Sequence, residues 1–513
     1  MIIDRSWNKK EQKLVISYID KQGNRQFFQR YLHHIKTYEY DNDGEFETWN
    51  GRKCRAVYKD TTNYTPNEFD ILEFMYELPE ETLDLLHANY FPKLYTFDIE
   101  TEISNDFPNP EIAAQKITSI SVVGPDLSCI VYGLHEMTEE QIELFRQRYL
   151  GWIKENDFAR NLCETRGYKP KVLYNYFPTE KDLLKRFLTV IVPKISCLAG
   201  WNSYNFDWRY IINRCAKIFD KGEYWAIIRK ASPTGELTQV SWEEQNGLHY
   251  RVTAPMHSQI LDYMQLVKDY DYSLRPYESY SLDWVGSKAV GAHKIKYEGT
   301  LQQLYEKDHE WYYFYNAIDS LIVMLIHYKL KCLESVCSVD AVTLVPMFKA
   351  MGQVALTTAN VFYEFYMDNK HVVWDYDAIP RFKIAYEGAF CGCVPGRYEW
   401  NVCDDFASLY PSQVQTCNFS FENFLTPPPI GPDSLGRYTP GSWTEEDLER
   451  FRKDPNYFVS INGNVYKNDK DYAFKKMQRR VKKLRDKYKY TGQKIESELL
   501  VYIDKLIEEK QSA

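Results

Sequence analysis

One short segment of the sequence, Leu94–Thr101 (LYTFDIET), restricts the possible fold more than any other. Apolar and polar residues alternate along it, so a β-strand places Asp98 and Glu100 on one face and the apolar side chains on the other. The strand rise then sets the two acids roughly 7 Å apart. Carboxylate oxygens in such a pair suit Mg²⁺ or Mn²⁺. Taken alone, however, the pattern is more typical of an ordinary strand with one solvated face.

The surrounding sequence predicts an α/β region. Strands are indicated at Ile117–Val123 and Leu198–Asn202, and helical spacing recurs at 138–155, at Phe206–Phe219 and over Trp311–Leu330. Alternating strands and helices of this kind are typical of α/β domains. The preceding residues, up to about 92, contain a predicted β-hairpin and favour a separate β-rich module.

Composition limits the class of protein further. The 513 residues, 44% of them hydrophobic, suffice for about three or four domains with apolar cores. The net charge of −9 argues against general affinity for nucleic acid, although local basic faces or bound metal ions can still hold DNA. The eleven cysteines contain no CxxC pair, and neither a signal peptide nor a membrane-length apolar run is found. These features predict a cytoplasmic protein without a membrane partner.

Two further segments of the α/β region also carry acids. Asp207 follows the predicted strand at 198–202, and Asp319 lies one helical turn after Tyr315. Each acid alone has an ordinary explanation, as a helix cap or a solvated helix position. Together and in this order, the three segments resemble the exonuclease motifs of the proofreading domain of family B DNA polymerases, with a tyrosine in the third. The residues that carry the resemblance are Asp98, Glu100, Asn202, Phe206, Asp207, Tyr315 and Asp319.

The resemblance implies an RNase H-like fold in which four carboxylates hold two Mg²⁺ or Mn²⁺ ions against the terminal phosphodiester of a DNA strand. By analogy with the family, Asp98 bridges the ions, Glu100 and Asp319 complete one of them, and Asp207 holds the other. Tyr315 would orient the attacking water. No covalent intermediate is needed, because such ions act on both the attacking and the leaving oxygen.

The same resemblance implies several DNA contacts. Asn202 and Phe206 accompany the second exonuclease motif. Lys294 corresponds to a lysine that approaches the scissile phosphate in the family, although a surface lysine is the simpler interpretation. The segment YEGAFC, which begins at Tyr386, is similar to one that tracks the template, and Gly388 would allow a phosphate to approach the backbone closely. A turn in the core explains this segment equally well.

A second constellation is more specific. The sequence DFASLYPS at Asp405–Ser412 resembles motif A of the family B polymerase palm. Adjacent strand residues point to opposite faces, so Asp404 and Asp405 cannot both face a metal ion, and the motif selects Asp405. The resemblance implies that Asp405 and the carbonyl oxygen of Phe406 bind a catalytic metal ion, while Tyr410 packs under the incoming sugar. The implied nucleotide contacts in this segment are Ser408, Leu409 and Tyr410.

The stretch at 475–487 is strongly basic and has helical spacing. Such a run is usually a solvated face or a general phosphate-binding surface. In the family, the first fingers helix follows motif A and supplies arginine and lysine to the triphosphate of the nucleotide. This position implies Arg479 and Lys483, which are four residues apart on one helix face, with Arg480 and Lys482 as alternatives.

The resemblance divides the chain into the domains of an α/β and α+β multidomain protein, and over 386–412 it is to polymerases of the T-even phage type. The domains are a β-rich N-terminal domain (1–92, completed by 332–376), an RNase H-like 3′–5′ exonuclease domain (93–331), a partial palm sheet (377–465) and a helical first part of the fingers (466–513).

Other polymerase motifs are not found in the sequence. The second fingers helix and the Asp-Thr-Asp hairpin are missing. The segment Asp269–Ser273 (DYDYS) is superficially similar to that hairpin, but it lies within the exonuclease region, before Asp319, so its place in the chain excludes it. We therefore expect part of a replicative DNA polymerase, or one subunit of a split one, that acts on primer-template DNA and dNTPs. A second polypeptide would complete it, and a sliding clamp and a single-strand-binding protein are candidate further partners in a host cytoplasm. The alternatives are a free-standing 3′–5′ exonuclease and a non-catalytic module that binds DNA or a partner.

Overall fold

The computed structural model describes the chain except for residues 49–51, 103–107, 244–248, 348–352, 369–370, 373–391, 401, 403–407, 428–429, 433–437, 440 and 489–513. The described residues form two compact units. The first contains Met1–Leu32 and Glu80–Ala355, and the second contains His33–Pro79 and Leu356–Lys489. The mixed α/β class predicted from the sequence is confirmed. The domain boundaries named above stay predictions.

The first unit begins with an antiparallel sheet of β1 (Ile2–Asn8), β2 (Lys13–Ile19) and β3 (Arg25–Tyr31). Strands β2 and β3 form the predicted hairpin, with Ile19 opposite Arg25. The Asp20 carboxylate accepts hydrogen bonds from the backbone of Gln22 and Asn24, which closes the turn. Gly23 occupies the left-handed region there (φ 81°), a conformation that favours glycine.

A six-stranded mixed sheet forms the centre of the first unit. Its order is β10 (Val172–Tyr176), β9 (Cys129–Gly133), β8 (Ile117–Val123), β7 (Leu94–Thr101), β11 (Cys197–Gly200) and β14 (Gln259–Asp262). Strand β8 runs antiparallel to both its neighbours, whereas β11 is parallel to β7 and to β14. Strands β7 and β8 have the bounds predicted from sequence. Every residue of β8 is buried, its serines and threonine included, because both faces of the sheet are covered there.

Helices and a hairpin complete the first unit. In chain order they are α2 (Glu80–His87), α3 (Glu139–Glu155), α4 (Asp157–Arg166), α5 (Glu180–Arg186), α6 (Asp207–Ile218), α7 (Lys221–Lys230), the strands β12 (Leu237–Glu243) and β13 (His249–Pro255), α8 (Tyr263–Tyr270), α9 (Leu282–Val290), α10 (Leu301–Lys307), α11 (His309–Leu330) and α12 (Cys332–Thr343). A π-helical turn at Phe187–Ile191 and a 3₁₀ turn at Val192–Lys194 follow α5.

Helix α11 positions much of the site, since it packs on β7 and β8 and is buried along most of its length. It begins at His309, two residues before the predicted start at Trp311, because the Asp308 side chain accepts a hydrogen bond from the Trp311 amide and caps the helix. A helix that is buried on all sides is stabilised by packing around its whole circumference and does not need one apolar and one polar face.

The second unit contains smaller sheets and five helices among its described residues. One sheet has the order β15 (His371–Val372), β5 (Phe46–Thr48), β6 (Lys53–Asp60), β4 (His34–Tyr40), and the others are β16 (Phe424–Leu425), β20 (Val465–Lys467), β19 (Tyr457–Val459) and the pair β17 (Ile430–Pro432), β18 (Tyr438–Thr439). The helices are α1 (Glu68–Tyr76), α13 (Gln353–Met367, within the unit from Leu356), α14 (Leu409–Cys417), α15 (Glu445–Lys453) and α16 (Ala473–Lys487), and a 3₁₀ turn lies at Phe421–Asn423.

Helix α16 is tied to its own unit by its cations. The Arg480 guanidinium lies 3.1 Å from the centroid of the Tyr363 ring on α13 and 5.9 Å from that of Tyr76 on α1. Such cation–π contacts stabilise the packing of the helix by about 0.5–2 kcal/mol each. In the part of the chain that the structure describes, no helix has both the length and the apolar character needed to cross a membrane.

Candidate active site

Three carboxylates of the first unit converge on one point. Asp98 and Glu100 lie on β7, and Asp319 lies on α11. One oxygen from each lies within 4.8 Å of the others. The alternation of β7 explains the pair, because Ile99 between them is buried on the opposite face.

Asp207 joins the group from a third element. It is the first residue of α6 and is buried, and its Oδ1 accepts a hydrogen bond from the Ile99 amide of β7 at 3.4 Å. All four carboxylates line one open cavity of about 460 Å³. The same cavity is lined by the other exonuclease residues predicted in this region, namely Asn202, Phe206, Lys294 and Tyr315.

The loop before Asp207 is shaped by residues that sequence analysis missed. Asp262, at the end of β14, accepts hydrogen bonds from the backbone of Asn202 at 3.1 Å and Tyr204 at 3.4 Å. Asn202 lies in the left-handed region (φ 63°). At Gly200 a Cβ would lie 2.8 Å from the Ser203 Cβ, so this tight exit from β11 requires glycine. Asp262 is thus a structural carboxylate near Asp207.

Lys294 lies beside the acids, although its side chain is still 37% exposed. Its ammonium donates to Asp319 Oδ2 at 2.5 Å and to the Tyr315 hydroxyl at 3.3 Å. The backbone amide of Lys294 is held by the Asp283 carboxylate at 2.8 Å. The segment after α9 therefore turns back to place one cation against the carboxylates.

Burial and mutual repulsion raise the pKa values of the acids. Burial, followed by repulsion from Asp319, raises the pKa of Glu100 to about 8, and burial raises the pKa of Asp207 to about 7. The pKa of Asp98 is raised by burial and then by repulsion from the other three acids. Burial also raises the pKa of Asp319, although Lys294 opposes that shift. The group consequently favours any additional positive charge.

The donor set fits divalent metal ions. The four side chains offer hard carboxylate oxygens, as Mg²⁺ and Mn²⁺ prefer. Asp319 Oδ1 is buried and has no hydrogen-bond partner among the described residues, which leaves one oxygen for a cation. One lysine does not neutralise four acids, so further positive charge would complete the site.

Asn316 is a second residue that the sequence analysis missed. It lies on α11 next to Tyr315 and is fully buried. Its side-chain amide donates to Asp98 Oδ2 at 2.7 Å. Its position three residues before Asp319 could have suggested that it faces the site, since i and i+3 share a helix face.

The predicted polymerase residues are only partly described. Asp405, Phe406, Tyr386 and Gly388 lie outside the described residues. Ser408 has a left-handed backbone (φ 56°) and precedes α14, whose first residues are Leu409 and Tyr410. The side chain of Tyr410 is 74% exposed, so it is accessible.

The cations of α16 point in different directions within the second unit. Arg479 forms an ion pair with Asp471, and Lys483 is exposed. A cavity of about 690 Å³ lies between α13, α14 and α16. The cavity is lined by Lys482 and Arg485 rather than by the two predicted phosphate ligands, together with Ser408 and Ser412.

Part of the first unit is similar in sequence to a domain of the DNA polymerases. Residues 80–285 match the family model described as DNA polymerase family B, exonuclease domain. The resemblance to family B DNA polymerases that the motifs predicted is confirmed.

Three of the relatives that the chain matches are DNA polymerases of viruses. The chain is 27% identical over 386 residues to the DNA-directed DNA polymerase of Escherichia phage RB69. The aligned region covers 74% of this chain and 40% of the relative. It is 26% identical over 398 residues to that of Enterobacteria phage T4, covering 72% of this chain and 43% of the relative. The DNA polymerase catalytic subunit of Equine herpesvirus 1 is 28% identical over 214 residues, or 40% of this chain and 16% of that protein. The chain thus spans about two fifths of the length of its phage relatives.

Proposed function

We propose that this chain removes nucleotides from the 3′ end of single-stranded DNA in a reaction that requires Mg²⁺ or Mn²⁺. The observation that carries the proposal is the convergence of Asp98, Glu100, Asp207 and Asp319 on one cavity. The family match supports DNA as the substrate. The proposal includes an RNase H-like arrangement for residues 93–331.

We assign each residue the role that the family resemblance implies. Asp98, Glu100, Asp207 and Asp319, which line one cavity, would hold the divalent ions. Bound divalent ions would polarise the phosphodiester and lower the pKa of the attacking water. The Tyr315 hydroxyl would form a hydrogen bond with that water, because Tyr315 lines the cavity.

The test compares DNA ends. Single-stranded DNA with a free 3′ hydroxyl should shorten in Mg²⁺, whereas the same strand closed into a circle should remain intact. Cleavage of the circle would indicate an endonuclease and contradict the proposal.

Lys294 provides a further test. Replacing it by methionine keeps most of the side-chain length but removes the ammonium beside Asp319 and Tyr315. We expect kcat for digestion to fall about 10²-fold, because a preorganised cation beside the carboxylates is lost. The matched control is Lys296→Met, since Lys296 is an exposed lysine outside this cavity. Equal activity of wild type and Lys294→Met would exclude Lys294 from the reaction.

We further propose that the second unit contributes to DNA synthesis. The segment Asp405–Ser412 and the DNA-directed DNA polymerases among the relatives favour this second function. Residues 377–465 would supply part of a palm and residues from 466 part of the fingers. The nucleotide phosphates would meet cations of α16, and the cavity makes Lys482 and Arg485 candidates beside Arg479 and Lys483.

Synthesis would require a polypeptide region that supplies the remaining metal ligand. Primer-template DNA and dNTPs would be the substrates, and a sliding clamp and a single-strand-binding protein would be candidate partners. We expect no primer extension by these 513 residues alone and extension once a polypeptide with the missing palm motif is added. Asp405→Ala should abolish that extension and leave digestion of single-stranded DNA unchanged. Extension by the 513 residues alone would contradict the proposal, and digestion without restored extension would favour a free-standing exonuclease.

A further inference from the structure

A polar seam joins β8 to α11 in the core of the first unit. The seam consists of fully buried side chains that lie between the sheet and the helix: Thr118, Ser119, Ser121, Tyr312, Asn316 and Ser320. The Thr118 and Tyr312 hydroxyls are 2.5 Å apart, and those of Ser121 and Ser320 are 2.6 Å apart. Buried polar groups destabilise a core unless they are hydrogen-bonded. Their pairing therefore fixes how α11 is placed against the acid-bearing sheet.

Asn316 is the member of the seam that reaches a carboxylate. Its Nδ2 donates to Asp98 Oδ2 at 2.7 Å, and its Oδ1 accepts from the Ser119 hydroxyl at 2.7 Å. In the register of β7 and β8, Ser121 is opposite Asp98, so Ser119 lies diagonally from it. The amide spans this diagonal.

When Asp98 is ionised, as it must be to bind a metal ion, chemistry fixes the direction of these hydrogen bonds. If the amide were rotated by half a turn, its carbonyl oxygen would face the Asp98 carboxylate, and two acceptors would repel each other. The Ser119 hydroxyl must then donate to Oδ1, which holds the amide in place. Ser119 thus orients Asn316, and Asn316 orients Asp98.

The hydrogen bond from Asn316 keeps Asp98 in place against repulsion from the neighbouring acids. Asp98 is repelled by the other three acids, yet it must stay among them to hold cations. Lys294 contacts Asp319, whereas Asn316 gives Asp98 a neutral donor that adds no competing charge. One oxygen of Asp98 is occupied, and the other is left for a cation.

We propose that Asn316 is a positioning residue that, together with Ser119, preorganises Asp98 for divalent metal binding. The proposal rests on the proposed exonuclease function, but metal binding can be measured without DNA. Hydrogen-bonding partners behind a metal ligand typically account for about 10–100-fold in metal affinity.

The experiment measures Mg²⁺ and Mn²⁺ binding by calorimetry and by the rise in Tm that each ion causes, with Asn316→Ala, Ser119→Ala and the matched control Ser121→Ala. Ser121 also carries a buried hydroxyl on β8. On α11 this hydroxyl contacts the backbone carbonyl oxygen of Asn316 and the hydroxyl of Ser320, and not the side-chain amide of Asn316. We expect Asn316→Ala to weaken metal binding about 10–100-fold. Ser119→Ala should weaken binding less but in the same direction. Ser121→Ala should lower the Tm of the metal-free protein and leave metal affinity unchanged.

Unchanged metal affinity in both Asn316→Ala and Ser119→Ala would overturn the proposal. Equal weakening by Ser119→Ala and Ser121→Ala would also overturn it, because it would indicate general loosening of the seam. If Asn316→Ala fails to fold, Ser119→Ala decides alone, since it removes one hydroxyl. If the wild-type chain binds the metal ions but has no nuclease activity, the proposed exonuclease function is wrong. The metal affinities of the variants would still test the role of Asn316.

Discussion

Replacing Asp98 by alanine is expected to reduce Mg²⁺-dependent digestion of single-stranded DNA by about 10³-fold or more, because loss of a shared metal ligand removes several kcal/mol of transition-state stabilisation. The pKa of Asp98 is raised by burial and then by repulsion from all three of the other acids, and its carboxylate accepts a hydrogen bond from Asn316. The initial rate of digestion, measured at saturating DNA over a range of Mg²⁺ concentrations, checks the prediction.

A matched control separates loss of chemistry from loss of fold. Asp126 is also a buried acid of the first unit, but its side chain contacts Ser128 and it does not line the cavity. Asp126→Ala should lower stability and retain digestion. Asp98→Asn, which removes the charge but keeps an oxygen that can accept from Asn316, should instead raise the Tm of the metal-free protein, since one of four mutually repelling acids is removed. Digestion by Asp98→Ala at the wild-type rate would remove this carboxylate from the mechanism.

The metal-free protein is expected to lose stability as the pH rises from about 5 to about 8. Glu100 has its pKa raised from 4.5 to about 8, and Asp207 from 3.8 to about 7. Within these windows the folded state keeps a proton that the unfolded chain has lost. The free energy of unfolding therefore falls with rising pH, by about 1.4 kcal/mol per pH unit for each such group.

Urea unfolding at several pH values, with a chelator or with Mg²⁺, measures this effect. Bound Mg²⁺ should offset the loss, by about 2.7 kcal/mol at a concentration of 100 Kd, because the ion binds the folded state. Glu100→Gln should reduce the slope most clearly between about pH 7 and pH 8, where Asp207 has lost half or more of its proton and Glu100 still keeps half or more of its own. Metal-free stability that stays level or rises over this range would show that the acids are not crowded as described.

The sequence predicted the elements whose patterns are local. The alternation in Leu94–Thr101 defines β7, and the segment Ile117–Val123, rich in β-branched residues, defines β8. Helices α6 and α11 were predicted to within about two residues, because their apolar spacing persists over several turns. The motif order also led to the family that the comparison found.

Contacts between distant segments could not be predicted in this way. Lys294 lies after the end of the family match at residue 285, and its place beside Asp319 depends on how α9 and α11 pack. Asn316 and Asp262 carry no motif, since an asparagine in a helix or an aspartate after a strand is common. Their roles arise from tertiary packing, which brings Asn316 to Asp98 and Asp262 to the loop before Asp207.

The most direct test of the exonuclease is the digestion of a single-stranded oligonucleotide labelled at its 5′ end. We expect a ladder of labelled products that become shorter by one nucleotide at a time from the 3′ end. The ladder should require Mg²⁺ or Mn²⁺ and should be lost in Asp98→Ala. A strand that stays intact with the wild-type protein, or that shortens equally in the presence of a chelator, would contradict the proposed exonuclease activity.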